Sequence, residues 1–250
     1  MRKEINILRH HGWQFVPDVT AVELAPLFRG RPVITDTHNT DEIAQLKAIC
    51  PTNAIVTSPL GIDLGKCVLC KECAFAFPHL IQFTNDYKVA TNDRNNLIVT
   101  SKNQNIGFNK AIIRPEIQKI FKHSLKLRQV SAAGDNSCEM ELNACGNVNF
   151  DMGRFGIEFV ASPRHADGIV ITGPISANMA EALQITYDAV PEPKIVVLCG
   201  VDAISGGIFA NSPALDRSFL NNTFIDLYIP GNPVHPLSVI NGILQLINNG

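Results

Sequence analysis

The sequence predicts an α/β protein in two parts, a small cysteine-bearing part followed by a parallel β-sheet covered by helices. Beyond residue 125, short apolar runs rich in β-branched residues alternate with segments of helical periodicity, which is typical of a parallel sheet buried on both faces. Before it, three of the seven cysteines fall within residues 67–73. The polar, asparagine-rich stretch 92–110 has the composition of a linker or exposed hairpin. We therefore predict domains at 1–110 and 111–250.

The elements of the second part follow from local patterns. Pro115 suits the first turn of a helix over 115–123, in which Ile117, Ile120 and Phe121 share a face. Strands are predicted at 127–131, 157–161, 168–172, 194–199 and 225–229.

Two further helices cover the predicted sheet. The first spans 176–189 with Ser176 as its N-cap, and the second spans 236–247. The residues expected to face the core are Met179, Ala182, Leu183 and Tyr187 in the first and Leu237, Ile240, Leu244 and Ile247 in the second.

Composition narrows the class of protein. The 250 residues carry 21 basic and 23 acidic side chains, a net charge of −2, which argues against a nucleic-acid partner. No apolar run approaches the ~18 residues that span a bilayer, and the first residues lack the pattern of a signal peptide. We expect a cytoplasmic protein, peripheral on the cytoplasmic face of a membrane. In that compartment, cysteines indicate metal ligands or buried thiols before disulfides.

The cysteines have the spacing of an iron–sulfur site. Cys67, Cys70 and Cys73 form C-x₂-C-x₂-C, followed by Phe77-Pro78, whereas the bacterial ferredoxin run ends in Cys-Pro and sends that last thiolate to a second cluster. An upstream Cys50-Pro51 supplies the matching tail. The spacing therefore predicts one 4Fe–4S cluster held by Cys50, Cys67, Cys70 and Cys73. The alternatives are zinc, which favours two well-separated C-x₂-C pairs, and buried structural thiols.

The partner positions of the upstream tail hold no ligands. Counting back from Cys50, they are Thr40, Ile43 and Leu46, none of which can bind iron. Residues 28–91 thus resemble a two-cluster ferredoxin reduced to one cluster. This resemblance implies a ferredoxin-like iron–sulfur domain.

The second part carries an ordered set of family strings. They are Phe155-Gly-Ile, Ser162-Pro-Arg-His-Ala-Asp, Gly173-Pro-Ile-Ser-Ala-Asn-Met, Pro191-Glu-Pro-Lys, Ser205-Gly-Gly-Ile-Phe and Ile225-Asp-Leu-Tyr-Ile-Pro-Gly. Residues 125–247 resemble the small subunit of group 4 energy-converting nickel–iron hydrogenases and, equally, the PSST-type 20 kDa subunit of NADH:quinone oxidoreductase (complex I). The resemblance implies a flavodoxin-like domain and a further 4Fe–4S cluster, the last electron stop before the nickel–iron site or quinone.

The four cysteine positions of that family cluster are mostly lost here. Carried over, they fall on Asp135, Cys138, Asp202 and Asn232. Soft thiolates select iron–sulfur clusters over harder ions, so we expect a degenerate site without a cluster. A cluster with unusual ligands and a different divalent ion on Asp135, Cys138 and Asp202 stay open as alternatives.

The leading hypothesis is an electron-transfer subunit of a membrane-associated, complex-I-like or hydrogenase-related oxidoreductase, with a large subunit and membrane-arm subunits as partners. No catalytic motif is present, which favours a non-catalytic subunit. Two alternatives are a structural scaffold whose cluster staples the small domain and an active small subunit with unusual ligation.

Overall fold

The computed structural model describes residues 2–12 and 15–248, in an α/β arrangement. The helices are α1 (Arg2–His11), α2 (Thr40–Ile49), α3 (Glu72–Ala76), α4 (Pro115–Ile120), α5 (Ser137–Cys145), α6 (Ala177–Ala189), α7 (Val201–Ser205), α8 (Ser218–Asn222) and α9 (Pro236–Asn248). The strands are β1 (Pro32–Ile34), β2 (Ile55–Thr57), β3 (Leu60–Asp63), β4 (Ile81–Phe83), β5 (Ile98–Thr100), β6 (Leu125–Ser131), β7 (Ile157–Phe159), β8 (Gly168–Thr172), β9 (Ile195–Cys199) and β10 (Leu227–Ile229). None of the helices in this described part is long and apolar enough to cross a membrane.

The predicted parallel sheet is confirmed. Its five strands lie in the order β10-β9-β8-β6-β7, and every neighbouring pair is parallel. Counted within the sheet, this order is 2-1-3-4-5, the flavodoxin-like order. The carboxyl ends of all five strands therefore lie at one edge of the sheet, which is where such folds place their ligand sites.

The two faces of the sheet are covered by different partners. Along β9, Ile195, Val197 and Cys199 face one core, which includes the apolar sides of α4, α5 and α9. The intervening Val196 and Leu198 face the other core, which includes α6 and the buried side chains of the N-terminal part. Because alternate side chains of a strand point to opposite faces, the continuous apolar run is explained by burial on both.

The N-terminal part repeats one order of elements. The unit β1–α2–β2 is followed by β3–α3–β4, with β1 antiparallel to β4 and β2 antiparallel to β3. Thr40, Ile43 and Leu46 lie in the regular helix α2, where Leu46 is fully buried. Helix α3 occupies the equivalent place in the second unit and carries Cys73.

The segment 92–110 is not the simple linker or exposed hairpin that its composition suggested. It contains β5, which pairs with β3 in a three-stranded sheet. Asn92 is buried; its side chain accepts from the Asn109 backbone N–H at 2.7 Å and donates to the Asn109 carbonyl at 2.9 Å. The asparagines here satisfy backbone groups that have no ladder partner, which explains a polar sequence in an ordered segment.

One residue predicted to face the core is exposed, and one predicted helix is shorter than expected. Ala182 is exposed in α6, although Leu183 is buried and Met179 and Tyr187 pack partly against the core. Ile120 is 53% exposed because α4 ends there, while Ile117 and Phe121 are buried. In both cases the helix buries a narrower face than the sequence pattern predicts.

Main-chain hydrogen bonds join the two parts. Thr91 bridges the free edge of the sheet: its N–H donates to the Tyr228 carbonyl at 3.0 Å and its carbonyl accepts from the Tyr228 N–H at 2.8 Å. The Ser238 hydroxyl at the start of α9 donates to the Tyr87 carbonyl at 2.7 Å. The N-terminal part therefore covers the β10 edge of the sheet.

Candidate metal centre

All four cysteines predicted to bind the cluster line one small cavity in the N-terminal part. Cys67 and Cys70 lie on the loop between β3 and α3, Cys73 lies in the first turn of α3, and Cys50 follows the last residue of α2. Cys67 and Cys73 are buried, and Cys50 and Cys70 are half-buried. The fold thus brings a thiol from well upstream to the C-x₂-C-x₂-C loop.

The backbone around these thiols directs N–H groups toward sulfur. The Ala54 N–H donates to Cys50 Sγ at 3.2 Å, and the Leu69 N–H donates to Cys67 Sγ at 3.4 Å. Leu69 and Lys71 adopt left-handed backbone, with φ of 56° and 70°, so the loop reverses direction tightly between the cysteines. Hydrogen bonds to sulfur are one of the levers by which a protein tunes a bound iron–sulfur cluster.

Burial disfavours charge on the thiols of this cavity. It raises the pKa of Cys67 to about 12 and that of Cys73 to about 11, and the neighbouring cysteines add to both shifts. A metal ligand is a thiolate, and a coordinating thiol is deprotonated by the positive charge of the metal. A positively charged metal centre bound to these thiols would therefore favour the thiolate form that burial alone disfavours.

The turn that presents Cys67 is organised by an ion pair between the half-exposed Arg94 and the buried Asp63. Asp63 accepts two hydrogen bonds from the Arg94 guanidinium, at 2.8 and 2.7 Å, and its Oδ1 also accepts from the Gly65 N–H at 2.9 Å. The Asp63 carbonyl accepts from the Cys67 N–H at 3.0 Å. Asp63 is only 6% exposed, so the pair fixes the start of the cysteine loop in the protein interior.

Four thiols around one cavity are the kind of donor set that iron–sulfur clusters use. Within residues 2–12 and 15–248, no group of three or more His, Cys, Asp and Glu side chains is arranged to hold one metal ion. In a cubane each thiolate binds a different iron, so the four sulfurs need not converge on one point. Four soft donors around one cavity match that requirement.

The second predicted site lies at the carboxyl edge of the parallel sheet. Cys138 is in α5 after β6, Asp202 is in α7 after β9, and Asn232 follows β10. Burial raises the pKa of Cys138 to about 11, and the nearby Asp202 and Asp135 carboxylates add to the shift. The loops therefore converge as the resemblance implies, with one thiol among the four positions.

At this second site, the protein backbone lies directly against two of the predicted donor atoms. A Cβ on Gly200 would lie 2.6 Å from Cys138 Sγ, and one on Gly207 would lie 1.9 Å from Asp202 Oδ1, so both donor atoms contact backbone. Asp135 is exposed and accepts from the Ser137 hydroxyl at 2.6 Å. Asp202 Oδ1 is buried without a partner among the described residues, and burial raises the pKa of this carboxyl. One thiol, two carboxyls and an amide do not fit a cubane.

Sequence reasoning missed the groups that support the first site. Asp63 and Arg94 are 31 residues apart, and nothing in their spacing pairs them. His235 was also missed: it lies beside a larger cavity that borders Cys67, and burial lowers its pKa. The only sequence signal for His235 is its place directly before Pro236, the first residue of α9.

Comparisons find similar proteins, and the family match lies in the second part of the chain. The family described as NADH ubiquinone oxidoreductase, 20 Kd subunit, matches residues 136–246. The probable membrane-bound hydrogenase subunit mbhJ of Pyrococcus furiosus is 32% identical over 129 residues, which cover 52% of this chain and 77% of that protein. An NADH-quinone oxidoreductase subunit of Heliobacterium modesticaldum is 40% identical over 116 residues, covering 46% of this chain and 66% of that protein.

A solved structure also matches. A chain in the structure of the membrane-bound sulfane sulfur reductase (MBS), an archaeal respiratory membrane complex, is 29% identical with a TM-score of 0.46, over 55% of this chain and 77% of that one. The chain spans slightly less than two thirds of the Heliobacterium relative and about three quarters of the Pyrococcus hydrogenase subunit. On the strength of that hydrogenase relative and the family match, the chain belongs to the family of NADH ubiquinone oxidoreductase 20 kDa subunits.

Proposed function

We propose that the protein is an iron–sulfur electron-transfer subunit of a complex-I-like or hydrogenase-related oxidoreductase. The observation that carries this proposal is the meeting of Cys50, Cys67, Cys70 and Cys73 around one cavity. A 4Fe–4S cluster bound there would accept and release one electron at a time. The four thiols would hold it, and the Ala54 and Leu69 N–H groups would favour negative charge on the sulfurs.

The N-terminal part is proposed to be a ferredoxin-like domain over 1–110, followed by a family domain over 111–250. The repeated order β1–α2–β2 and β3–α3–β4 supports this proposal, because Cys50-Pro51 follows the helix of the first unit as Phe77-Pro78 follows the helix of the second. In the first half, α2 occupies the positions where the lost ligands would lie. Residue 1, residues 13–14 and residues 249–250 of these ranges lie outside the described part of the chain.

The second site is proposed to carry no cluster. Its one thiol, Cys138, is packed against Gly200, and Asp202 Oδ1 against Gly207. Asp135 and Asn232 add no soft donor to it. A terminal cluster would need thiolates that these positions do not supply. Electrons would then leave by a route that does not use the family's cluster positions.

The partners are proposed from the relatives. Their printed names describe a subunit of a membrane-bound hydrogenase and of an NADH-quinone oxidoreductase. We propose a large subunit and membrane-arm subunits of such a complex as partners, with this chain peripheral on the cytoplasmic face of the membrane. Exposed apolar side chains that a partner would cover include Phe75, Ile208 and Phe224.

A structural scaffold is the second candidate, and one observation favours it. The walls of the cysteine cavity, Ile55, Ile62, Cys67 and Cys73, belong to the same core as Ile171 and Leu198 of the parallel sheet. A cluster at that place would stabilise the packing of the N-terminal part on the sheet, as metals stabilise other small modules. The two candidates differ in whether the cluster changes oxidation state.

The experiment compares two cysteine variants of the full chain, purified without oxygen. In the wild-type protein we expect a reversible electron paramagnetic resonance signal at physiological potentials. Cys70→Ser should abolish the signal, whereas Cys138→Ser, the matched control at the second site, should leave the signal and the iron content unchanged. A cluster that cannot be reduced reversibly, with Cys70→Ser lowering only the melting temperature, would support the scaffold instead. Loss of iron in Cys138→Ser would overturn the assignment of the second site.

A further inference from the structure

A polar cleft of about 170 Å³ lies between the two parts of the chain, and it shares no lining residue with the cavity beside His235. One wall is the turn directly after Cys50, at residues 51–53. Another wall comes from residues 205–211, at the end of α7 and in the turns that follow it. Lys66 of the cysteine loop also lines the cleft, so three separate segments of the chain meet around it.

The side chains that line this cleft carry hydrogen-bond donors without a protein partner. The Lys66 ammonium and the amides of Asn53 and Asn211 make no hydrogen bond to any residue in the described part of the chain. All three residues are exposed, so water occupies these donors until a ligand replaces it. The Thr52 hydroxyl adds a fourth polar group to the same wall as Asn53.

The charge of the cleft favours an anion. Lys66 is the one charged side chain among the described residues that line it, and none of them carries a carboxylate. This local excess of positive charge occurs in a chain whose net charge is −2. Lysine binds phosphate as a point charge, and asparagine and threonine side chains commonly contact phosphate oxygens. The lining therefore matches a negatively charged group that has several acceptor oxygens.

The backbone that presents two of these donors is held by turns of its own. The Lys66 N–H donates to the Asp63 carbonyl at 3.0 Å, and the Asn53 N–H donates to the Cys50 carbonyl at 3.4 Å. Asn53 has left-handed backbone with a φ of 53°, which asparagine adopts more readily than most residues. Binding therefore has to order only the side-chain ends, which limits its entropic cost.

The volume restricts the size of the ligand. One water takes up about 30 Å³ in the liquid, so a single phosphate group with a few waters fits a cleft of about 170 Å³. We propose that this cleft binds a phosphate group, with Lys66 supplying the positive charge and Asn53 and Asn211 donating hydrogen bonds to its oxygens. The site goes beyond the proposed electron-transfer function and does not depend on it, because none of these three residues is a proposed cluster ligand.

The test titrates inorganic phosphate and glycerol 3-phosphate separately into the full chain, purified without oxygen, in an isothermal calorimeter. Sodium chloride keeps the ionic strength constant, so that general screening of surface charge does not change during the titration. We expect one saturable site per chain. Tighter binding of inorganic phosphate would identify the ligand as the free ion, and tighter binding of glycerol 3-phosphate would identify it as a phosphate carried by an organic molecule.

Two variants assign the binding to this cleft. Lys66→Met should weaken phosphate binding about tenfold, the lower end of what a charge-assisted hydrogen bond contributes. Asn53→Asp should abolish saturable binding, because aspartate also accepts left-handed backbone and places a negative charge on the wall of the cleft. Both positions are exposed, so both variants are expected to fold.

The matched control is Lys119→Met. Lys119 is exposed in α4 and does not line the cleft, and its replacement changes the net charge by the same amount as Lys66→Met. The control should bind phosphate as the wild-type protein does. Absence of saturable binding of both probes, affinity unchanged in both cleft variants, or equal weakening in Lys119→Met and Lys66→Met would overturn the proposal.

Discussion

Arg94 has a structural role that its half-exposed side chain does not suggest. Its guanidinium pairs with the buried Asp63 carboxylate, which holds the turn leading into Cys67. The guanidinium also packs on Gly65, where a Cβ would lie 2.6 Å from its central carbon. Removal of one member of a buried pair leaves the other charge in the interior without compensation, and that is strongly destabilising.

Arg94→Leu is therefore expected to lower the free energy of unfolding by about 3 kcal/mol, because the buried Asp63 carboxylate loses its counter-ion. Lys126→Met is the matched control, because Lys126 pairs with Glu158 on the surface, where both side chains are well exposed. The control should change stability by less than about 0.5 kcal/mol. Chemical denaturation of both variants measures the difference. Equal effects would show that the Asp63–Arg94 pair has no special role.

His235 links the pH dependence of stability to the start of α9. Burial lowers its pKa in the folded protein below the ordinary value of 6.5. As pH falls through 6.5, the unfolded chain takes up a proton that the folded chain refuses, so the folded state loses stability. Above that pH the histidine is neutral in both states and has no effect.

We predict that the stability difference between the wild-type protein and His235→Asn depends on pH in that direction. The wild-type protein should lose stability relative to the variant as pH falls from about 7 toward about 5, and the difference should be constant above about pH 7.5. Denaturation curves at a series of pH values measure this difference. A difference that stays flat below pH 6.5 would contradict a lowered pKa for His235.

At the residue scale, spacing singled out cysteines that meet around one cavity, but not the residues that support them. Cys67, Cys70 and Cys73 are recognisable because a metal cluster imposes a local spacing. Cys50 is recognisable by its following proline, and the fold brings it to the same cavity. Asp63 and Arg94 meet only through tertiary structure, and no periodicity connects residues on separate elements.

Helix α9 is the element that holds the two parts together. Its buried residues include Leu237, Ile240, Ile243 and Ile247, and also Val239, Asn241 and Leu246 on its other sides. A helix that is apolar nearly all round is buried on more than one side. One side packs on the sheet and α5, and at Gly242 the helix backbone approaches Ala90 of the N-terminal part.

Gly242→Ala tests that close approach. In an open helix this substitution stabilises by up to about 1 kcal/mol, but here the new Cβ would lie 2.5 Å from the Ala90 Cβ. We expect a net loss of about 1–3 kcal/mol from overpacking. In the Ala90→Gly background the obstructing methyl is gone, so the same substitution should become neutral or stabilising.

The four proteins of this double-mutant cycle are compared by chemical denaturation. A coupling of the predicted sign between positions 90 and 242 would place the N-terminal segment directly on α9. Additive effects would contradict the contact seen in the structure.

At the element scale, strands and helices with a regular hydrophobic periodicity were predictable, and ordered segments without such a periodicity were not. The strand at 168–172 is observed with the predicted bounds. Its sequence, Gly-Ile-Val-Ile-Thr, is apolar or β-branched after the first glycine, and all five residues are buried. Residues 92–110 were misjudged, because their order comes from side chains such as Asn92 that bond the backbone across the loop. Composition alone does not distinguish such a segment from a flexible linker.

At the scale of the whole molecule, the two parts share buried cores. Ile34 and Leu60 of the N-terminal part belong to the same core as Ile169 and Val196 of the sheet. The cysteine loop is thereby fixed relative to the carboxyl edge of the sheet, where the second site lies. The spatial relation of the two sites was not predictable from the sequence, because it depends on this packing.

The central claim is that four thiols hold one cluster while the second site holds none. The most direct test is the iron and acid-labile sulfide content of the full chain purified without oxygen. We predict about four irons and about four sulfides per chain, as one 4Fe–4S cluster requires. About eight of each, or zinc without sulfide, would contradict it.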